Sequence, residues 1–301
     1  MMQKSFIQPV RRGNDGCPLS LLQERLWLLH RMNPADTSWN IPFVFLIEGA
    51  LDLDALAKSL GEILRRHENL RARFVAAAGG APVQMATAPG IVKLDIVDAS
   101  EADLPKLVAA NAEHRFDLEK GPVFVHKLVR VGPEKHVLLI DIHHIVADGW
   151  SIEGILFSEL QKCYEAFGEG REPQLPELPI QYSDFSIWQR KQDITKHLAF
   201  WRESLSGYEG SLELPTDHLR RPDSGKASSS FIHHYDAEFC QELDRFSQKH
   251  NSTLFMTLLA GLALLAQRYT GQDDLCIGTT TSGRPLPELE GLIGFFINIL
   301  P

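Results

Sequence analysis

His136-Val137-Leu138-Leu139-Ile140-Asp141-Ile142-His143-His144-Ile145-Val146-Ala147-Asp148-Gly149-Trp150-Ser151 is the stretch that decides the fold. Its apolar run is short, β-branched and closed by turn residues, so it reads as a buried strand. Two histidines stand at the strand's C-terminal end, an Asp-Gly turn follows, and helical character begins at Ser151 and runs to Phe167. Titratable groups at the end of a buried strand are costly unless they are paired or used.

Successive strand side chains point to opposite faces, so His143 and His144 do not converge on one metal ion. The economical arrangement has one imidazole facing a cavity and the other buried behind it as support. An imidazole that takes or holds a proton near neutral pH suits acyl transfer to an amine or hydroxyl. Asp148 is either a base or, as an Asp before Gly in a turn favours, a structural partner for backbone amides or an arginine. Gly149 permits close backbone approach or a conformation closed to other residues. Its amide, with the helix starting near Ser151, is placed to stabilise a developing oxyanion. The plainer reading is two satisfied histidines before a common turn, and spacing alone leaves both readings standing.

The rest of the composition narrows the class. At 301 residues, with 44% hydrophobic and 23% charged positions, the chain is long enough for about two globular domains. A formal charge of -9 with scattered Lys and Arg lacks the basic footprint of a nucleic-acid binder. Cys17, Cys163, Cys240 and Cys276 form no C-x-x-C pair and are expected to be reduced thiols. No signal peptide is readable, and no apolar run reaches the ~20 residues of a membrane helix. A cytoplasmic protein without a membrane or nucleic-acid partner is expected.

Along the chain, residues 1–18 read as a leader, and Ser20 with Gln23 forms a capping-box pattern ahead of a helix bearing Leu22, Leu26 and Leu29. A strand over Phe43–Ile47 and a helix striped by Leu53, Leu56, Leu60, Ile63 and Leu64 follow. Strands are expected over Ile91–Val97 and Pro122–Val131, with a helix over Ala102–His114 between them. The proline-rich stretch before Tyr182 marks a linker, giving lobes over 19–172 and 181–301 joined by 173–180. Beyond it come a helix from Tyr182 to about Ser204, a mobile polar loop over 215–230 and a strand over Phe231–Tyr235. A helix over Ala237–His250, a buried helix over Leu254–Tyr269 and a strand over Leu275–Thr280 complete the series. The mixed order is α/β or α+β, with a mixed sheet in each half. His233-His234 lacks a downstream Asp-Gly and reads as structural or surface. No Gly-x-Ser-x-Gly elbow, phosphate loop or dinucleotide glycine pattern occurs.

Lined up together, these stretches closely resemble the condensation domain of nonribosomal peptide synthetases, within the chloramphenicol-acetyltransferase-like acyltransferases. The His-His-x-x-x-Asp-Gly signature is met by His143, His144, Asp148 and Gly149 and continues as Trp150-Ser151. Four more stretches match in order: Ser20 through Leu28; Arg66 through Arg71 with Phe74; Tyr182 through Phe185 with Trp188; and Ile293 through Asn298. The resemblance implies two acetyltransferase-like lobes in a V, with mixed sheets and the signature at the floor of a channel. Donor and acceptor carrier proteins would dock at its mouths, presenting thioesters on phosphopantetheine arms, beside neighbouring synthetase domains and with no tightly bound cofactor or metal. By this match His144 is catalytic and Gly149 lends its amide. His143, Asp148, Trp150 and Ser151 support the site, and Arg284, with Arg71 as runner-up, pairs with Asp148.

Gln23 through Trp27 and Asn40-Ile41-Pro42 look like domains taking an L-configured or achiral donor. Trp150-Ser151 argues against an epimerisation domain, and the intact histidines argue against a heterocyclisation domain. Family members run further than Pro301, so an incomplete second lobe with exposed apolar surface is expected, together with self-association or lost activity. The competing readings are an acyltransferase with a free amine or hydroxyl acceptor and a non-catalytic carrier-docking or recruiting module.

Overall fold

Ser20 starts the first helix through its spacing with Gln23: Ser20 Oγ accepts from Gln23 N and Gln23 Oε1 accepts from Ser20 N, each at 3.1 Å. The computed structural model describes residues 6–11, 13, 15–77, 79–208, 210–218 and 229–301. After a short strand β1 (Cys17–Pro18), this helix, α1, spans Leu21–Met32. β2 (Asn40–Glu48) leads to α2 (Leu53–Arg66), which buries Leu56, Leu60 and Ile63 on one face. β3 (Ala72–Ala76), β4 (Pro82–Ala86) and β5 (Ile96–Asp98) precede α3 (Leu104–Ala112). The hairpin β6 (Phe124–Gly132) and β7 (Lys135–His143) follows.

The main sheet has the order β2-β7-β6-β5, antiparallel except where β5 runs parallel to β6. Pro42 is tolerated because β2 is an edge strand, where a missing ladder donor costs little. β7 lies inside the sheet and is covered on both faces, which explains its near-continuous apolar run. Leu138, Ile140 and Ile142 share a core with α2 and with Ile155 and Leu156. On the other face Val137 and Leu139 pack against Leu104, Leu107 and Val108 of α3. A second sheet has the order β1-β4-β3.

The expected helix from Ser151 begins as a π-helical turn, Trp150–Leu156, before α4 (Phe157–Gly168). The expected helix from Tyr182 to Ser204 is two helices, α5 (Tyr182–Arg190) and α6 (Thr195–Ser204). The break falls where the chain leaves one compact unit for another: the segment up to Asp193 with Thr280–Asn298 forms the first, and Ile194–Thr279 with Ile299–Pro301 the second. The proline-rich 173–180 stretch thus lies inside the first unit. Arg66 Nη2 donates to Pro176 O, and Ile180 is buried in a cluster with Tyr182 and Phe185.

The second unit carries α6, α7 (Ala237–Lys249) and α8 (Leu254–Thr270), with Ser247 Oγ 2.7 Å from Thr257 Oγ1 between the last two. α8 is not the buried helix its sequence suggests. Leu254, Phe255, Met256, Leu258, Leu262 and Leu264 are exposed, and apolar character without a helical polar face does not by itself say what covers a helix. The strand expected over Phe231–Tyr235 does not form, and those over Ile91–Val97 and Leu275–Thr280 shrink to β5 and to β8 (Thr279–Thr281). The last strand, β9, is Asn298–Leu300. The polar loop expected over 215–230 lies mostly outside the described residues. All four cysteines are free thiols. Among the described residues no helix is long and apolar enough to cross a membrane.

Candidate active site

The two histidines part company because β7 ends between them. His143 is its last residue, paired with Asn40 of β2, and His144 opens a single 3-10 turn, His144–Val146. Leaving the strand, rather than alternating along it, turns His144 toward partial exposure while His143 stays 1% exposed. His143 Nδ1 accepts from Ile145 N at 3.1 Å, so its neutral ring carries the proton on Nε2. That nitrogen has no hydrogen-bond partner among the described residues. The ring sits in T-shaped contact with His30 and Phe116, at centroid distances of 5.6 and 5.7 Å. Burial, with the neighbouring imidazoles His30 and His144, pushes the His143 pKa down to about 3, so the ring is neutral.

His144 is held at both ends. Its amide donates to Trp39 O at 2.8 Å, and its Nδ1 lies 2.9 Å from Ala147 O. A carbonyl only accepts, so Nδ1 carries the hydrogen and the Nε2 lone pair is left for a ligand. Phe295 and Trp39 flank the ring at centroid distances of 5.1 and 6.3 Å.

Asp148 locks the far side of the turn. Its Oδ1 accepts from Ser151 N at 2.9 Å and from Arg284 Nη2 at 3.1 Å, with Ser151 Oγ at 2.7 Å. Its Oδ2 accepts from Arg284 Nη1 at 3.0 Å, Phe296 N at 2.9 Å and Ile297 N at 3.1 Å. Burial works against the Asp148 charge, but the hydrogen bonds and charge of Arg284 and the Ser151 donors outweigh it and hold the carboxyl below the usual range. A carboxylate so fully engaged is a structural anion, not a base.

Arg284 is 2% exposed at its side chain and lies over the Phe296 ring at 4.1 Å. Gly283 before it has φ +65, and an added Cβ would sit 1.9 Å from Phe296 O, so only glycine lets the two stretches of backbone approach. Arg71, the runner-up, is elsewhere: its Nε donates to Leu64 O at 3.0 Å and its Nη1 to Thr87 O. The end of α2 and the chain after β4 consume that guanidinium.

Gly149 is exposed, with φ -57 and ψ -43, a helical conformation open to any residue. Of the two roles the sequence allows, conformational necessity is therefore removed. An added Cβ would meet nothing within 4 Å, so the glycine leaves open space at the start of the helical run. Trp150 is 52% exposed, with its Nε1 donating to Glu290 O at 3.2 Å. Among the described residues no three His, Cys, Asp or Glu side chains converge as metal ligands. His233 and His234 are exposed and lie in the second unit.

Other groups at the site do not announce themselves by motif chemistry. Gln23 and Asn69 donate into the turn after His144, and Tyr182 OH donates to Phe295 O at 2.6 Å. Gly294 fits against the Tyr182 ring so closely that a Cβ would lie 1.9 Å from it. Asp141, fully buried within β7, accepts from Asn40 Nδ2 at 3.0 Å, and burial raises its pKa to about 7. An acid inside an apolar strand was the one available signal for it.

A mixed α/β domain with a half-buried histidine on a turn pinned by a buried carboxylate–guanidinium pair is the class this architecture defines, chloramphenicol-acetyltransferase-like in fold. The model of the condensation domain family matches residues 14–301, and the chain belongs to that family. It is 42% identical over 304 residues to one of the proteins of the linear gramicidin synthase of Brevibacillus parabrevis, covering 97% of this chain and 6% of that protein. It is 40% identical to a chondramide synthase of Chondromyces crocatus, covering 94% of this chain and 8% of that one. The chain thus spans a small fraction of these curated relatives.

Among solved structures, an X-domain in complex with OxyB from teicoplanin biosynthesis superposes with a TM-score of 0.88 at 30% identity, covering 100% of this chain and 67% of that one. The first condensation domain of the CDA synthetase gives 0.75 at 19% identity, covering 96% and 70%, a likeness of fold.

Proposed function

We propose that this chain is the amide-forming condensation domain of a nonribosomal peptide synthetase. The single observation that carries the reading is the His144 turn. Nδ1 is engaged by Ala147 O, and Nε2 is left to receive a hydrogen of the acceptor amine. The amine of a carrier-borne aminoacyl group attacks the donor thioester carbonyl; the C–N bond forms, the C–S bond breaks, and the donor carrier leaves as the thiol. His144 orients the amine and holds its proton during attack. The Gly149 amide, at the start of the helical run from Trp150, is the donor this reading assigns to the developing oxyanion. His143, Asp148, Arg284, Ser151 and Trp150 keep this geometry.

Donor and acceptor carrier proteins, presenting phosphopantetheine thioesters, are the partners in this reading, with an L-configured or achiral donor. Lobes over 19–172 and 181–301 belong to the same proposal; they divide the chain by acetyltransferase-like halves rather than by compactness.

The test is a condensation assay with one donor-loaded and one acceptor-loaded carrier protein. His144→Ala is expected to lower product formation by at least about 100-fold, and equal product from the variant would sink the mechanism. A second reading, a recruiting module without catalysis, is favoured by the likeness to an X-domain solved with OxyB bound. A folded wild-type chain that binds carriers yet yields no amide would select it. Product from free amines alone would select a free-acceptor acyltransferase.

A further inference from the structure

Each carbonyl of the turn after His144 is held by a different side chain. Ile145 O accepts from Gln23 Nε2 at 3.2 Å, Val146 O from Asn69 Nδ2 at 2.8 Å, and Ala147 O from His144 Nδ1 at 2.9 Å. Asn69, 4% exposed, lies in the 3-10 turn Glu68–Arg71, and its amide also reaches Ile293 O at 3.4 Å. Behind it stands a chain of buried amides. Gln23 Nε2 lies 3.4 Å from Asn69 Oδ1, and Gln84 Nε2 donates to Gln23 Oε1 at 3.1 Å and to Pro18 O at 3.0 Å. All of these residues belong to the first compact unit.

We infer that Asn69, with Gln23 behind it, is a positioning residue for His144: it fixes the Val146–Ala147 peptide, and so the Ala147 carbonyl that keeps the His144 hydrogen on Nδ1. The Val146 carbonyl and the Ala147 amide belong to one rigid peptide plane. Asn69 holds the oxygen end of that plane, while the Ala147 N–H at its other end bonds back to His144 O at 3.4 Å, a long contact that fixes little by itself. The next carbonyl, Ala147 O, sets which imidazole nitrogen is protonated, because the tautomer follows the hydrogen bond that the ring makes. Without Asn69 the plane can rotate, Ala147 O swings away, and the hydrogen is free to sit on Nε2, where it blocks the lone pair. The catalytic value of that lone pair rests on the function proposed above; the clamp itself does not.

The experiment labels histidine with 15N and reads the two imidazole nitrogens of His144 by NMR at alkaline pH, where imidazole is neutral, with His144→Ala identifying the signals. Wild type is expected to show protonated Nδ1 and unprotonated Nε2. Asn69→Leu, which keeps the bulk but removes the amide, is expected to shift His144 toward protonated Nε2. In the two-carrier assay it should lower kcat by about 10- to 100-fold with KM for the loaded acceptor carrier unchanged. Asn69→Ser is a milder change and should move both readouts in the same direction by less.

A folded Asn69→Leu that retains the wild-type nitrogen shifts overturns the proposal, and so does the failure of both variants to fold, since Asn69 is then a folding determinant. A wild type that makes no amide, but whose His144 shows protonated Nδ1 and loses it in Asn69→Leu, overturns the function and leaves the clamp standing.

Discussion

Asp141 puts a carboxyl where only apolar side chains would be comfortable. It is fully buried in β7, one oxygen meets Asn40 Nδ2, and the other has no hydrogen-bond partner among the described residues. Burial raises its pKa to about 7, against the opposing Ile142 and Ile41 amides and the Asn40 amide. The unfolded carboxyl titrates near 4. Between those values the folded chain binds more protons than the unfolded one, so stability is full below about pH 4 and falls as pH rises to about 7. Asp141→Asn removes the titration and keeps an oxygen for Asn40. It should be close to neutral in acid and stabilise the protein by on the order of 2–4 kcal/mol at pH 8. Urea titrations of both proteins across this range decide it, and a wild-type-to-variant difference that does not change with pH rules it out.

His143 illustrates the same scale differently. Burial first, and then the imidazoles of His30 and His144, keep its ring neutral. The sequence marked His143, His144, Asp148 and Gly149 because polar groups at a strand end demand an account. Asn69 and Gln23 carried no such mark as chemistry, since an amide inside a helical turn reads the same whether it faces water or a buried carbonyl.

At the scale of elements, what holds the histidine turn is the meeting of sequence-distant pieces. Asp148 joins Arg284 and the Phe296–Ile297 amides, while Ser20 Oγ meets the Tyr182 hydroxyl, which donates to the carbonyl of Phe295, whose ring packs on His144. Arg66 and His67 at the end of α2 both hold Glu159 of α4, which ties that helix to the core next to the site.

Gly294 is the tightest of these joints. Its Cβ would fall 1.9 Å from the Tyr182 ring, and its backbone N donates to Ser151 Oγ at 3.0 Å. Gly294→Ala must displace Tyr182, whose hydroxyl holds Phe295. A loss of about 2–3 kcal/mol in urea unfolding is expected, the range of overpacked cores, with less product in the two-carrier assay that tests the proposed function. A change under about 0.5 kcal/mol, the size typical of surface substitutions, would show that Tyr182 yields easily. Capping at Ser20, the stripe of α2 and the β6–β7 hairpin were legible beforehand because they depend on near neighbours. The break between α5 and α6 was not, since it falls where the chain passes from one compact unit to the other, a division that no proline or glycine between Arg190 and Thr195 marks.

The whole molecule divides unevenly. Among the described residues, the clusters of buried apolar side chains at the main sheet and around Tyr182 all lie in the first unit. In α8 only Ala266 is buried, although the helix is among the most apolar in the chain. Local opening follows the number of buried apolar neighbours. Amides of β2, β6 and β7 are therefore expected to exchange with deuterium far more slowly than those of α7 and α8. Equal protection across the two units, measured by hydrogen-exchange mass spectrometry, would contradict that ranking.

The sequence by itself determined the mixed α/β class, the strand that ends in two histidines, the helix caps and the family stretches in their order. Each of these rests on periodicity or on residues a few positions apart. Only the tertiary structure chose Arg284 over Arg71 for Asp148, showed that Gly149 owes nothing to backbone strain, and brought Gln23 and Asn69 onto the carbonyls beyond His144. Those outcomes depend on which distant groups share a water-poor interior, where an unpaired carboxylate or carbonyl must find a partner.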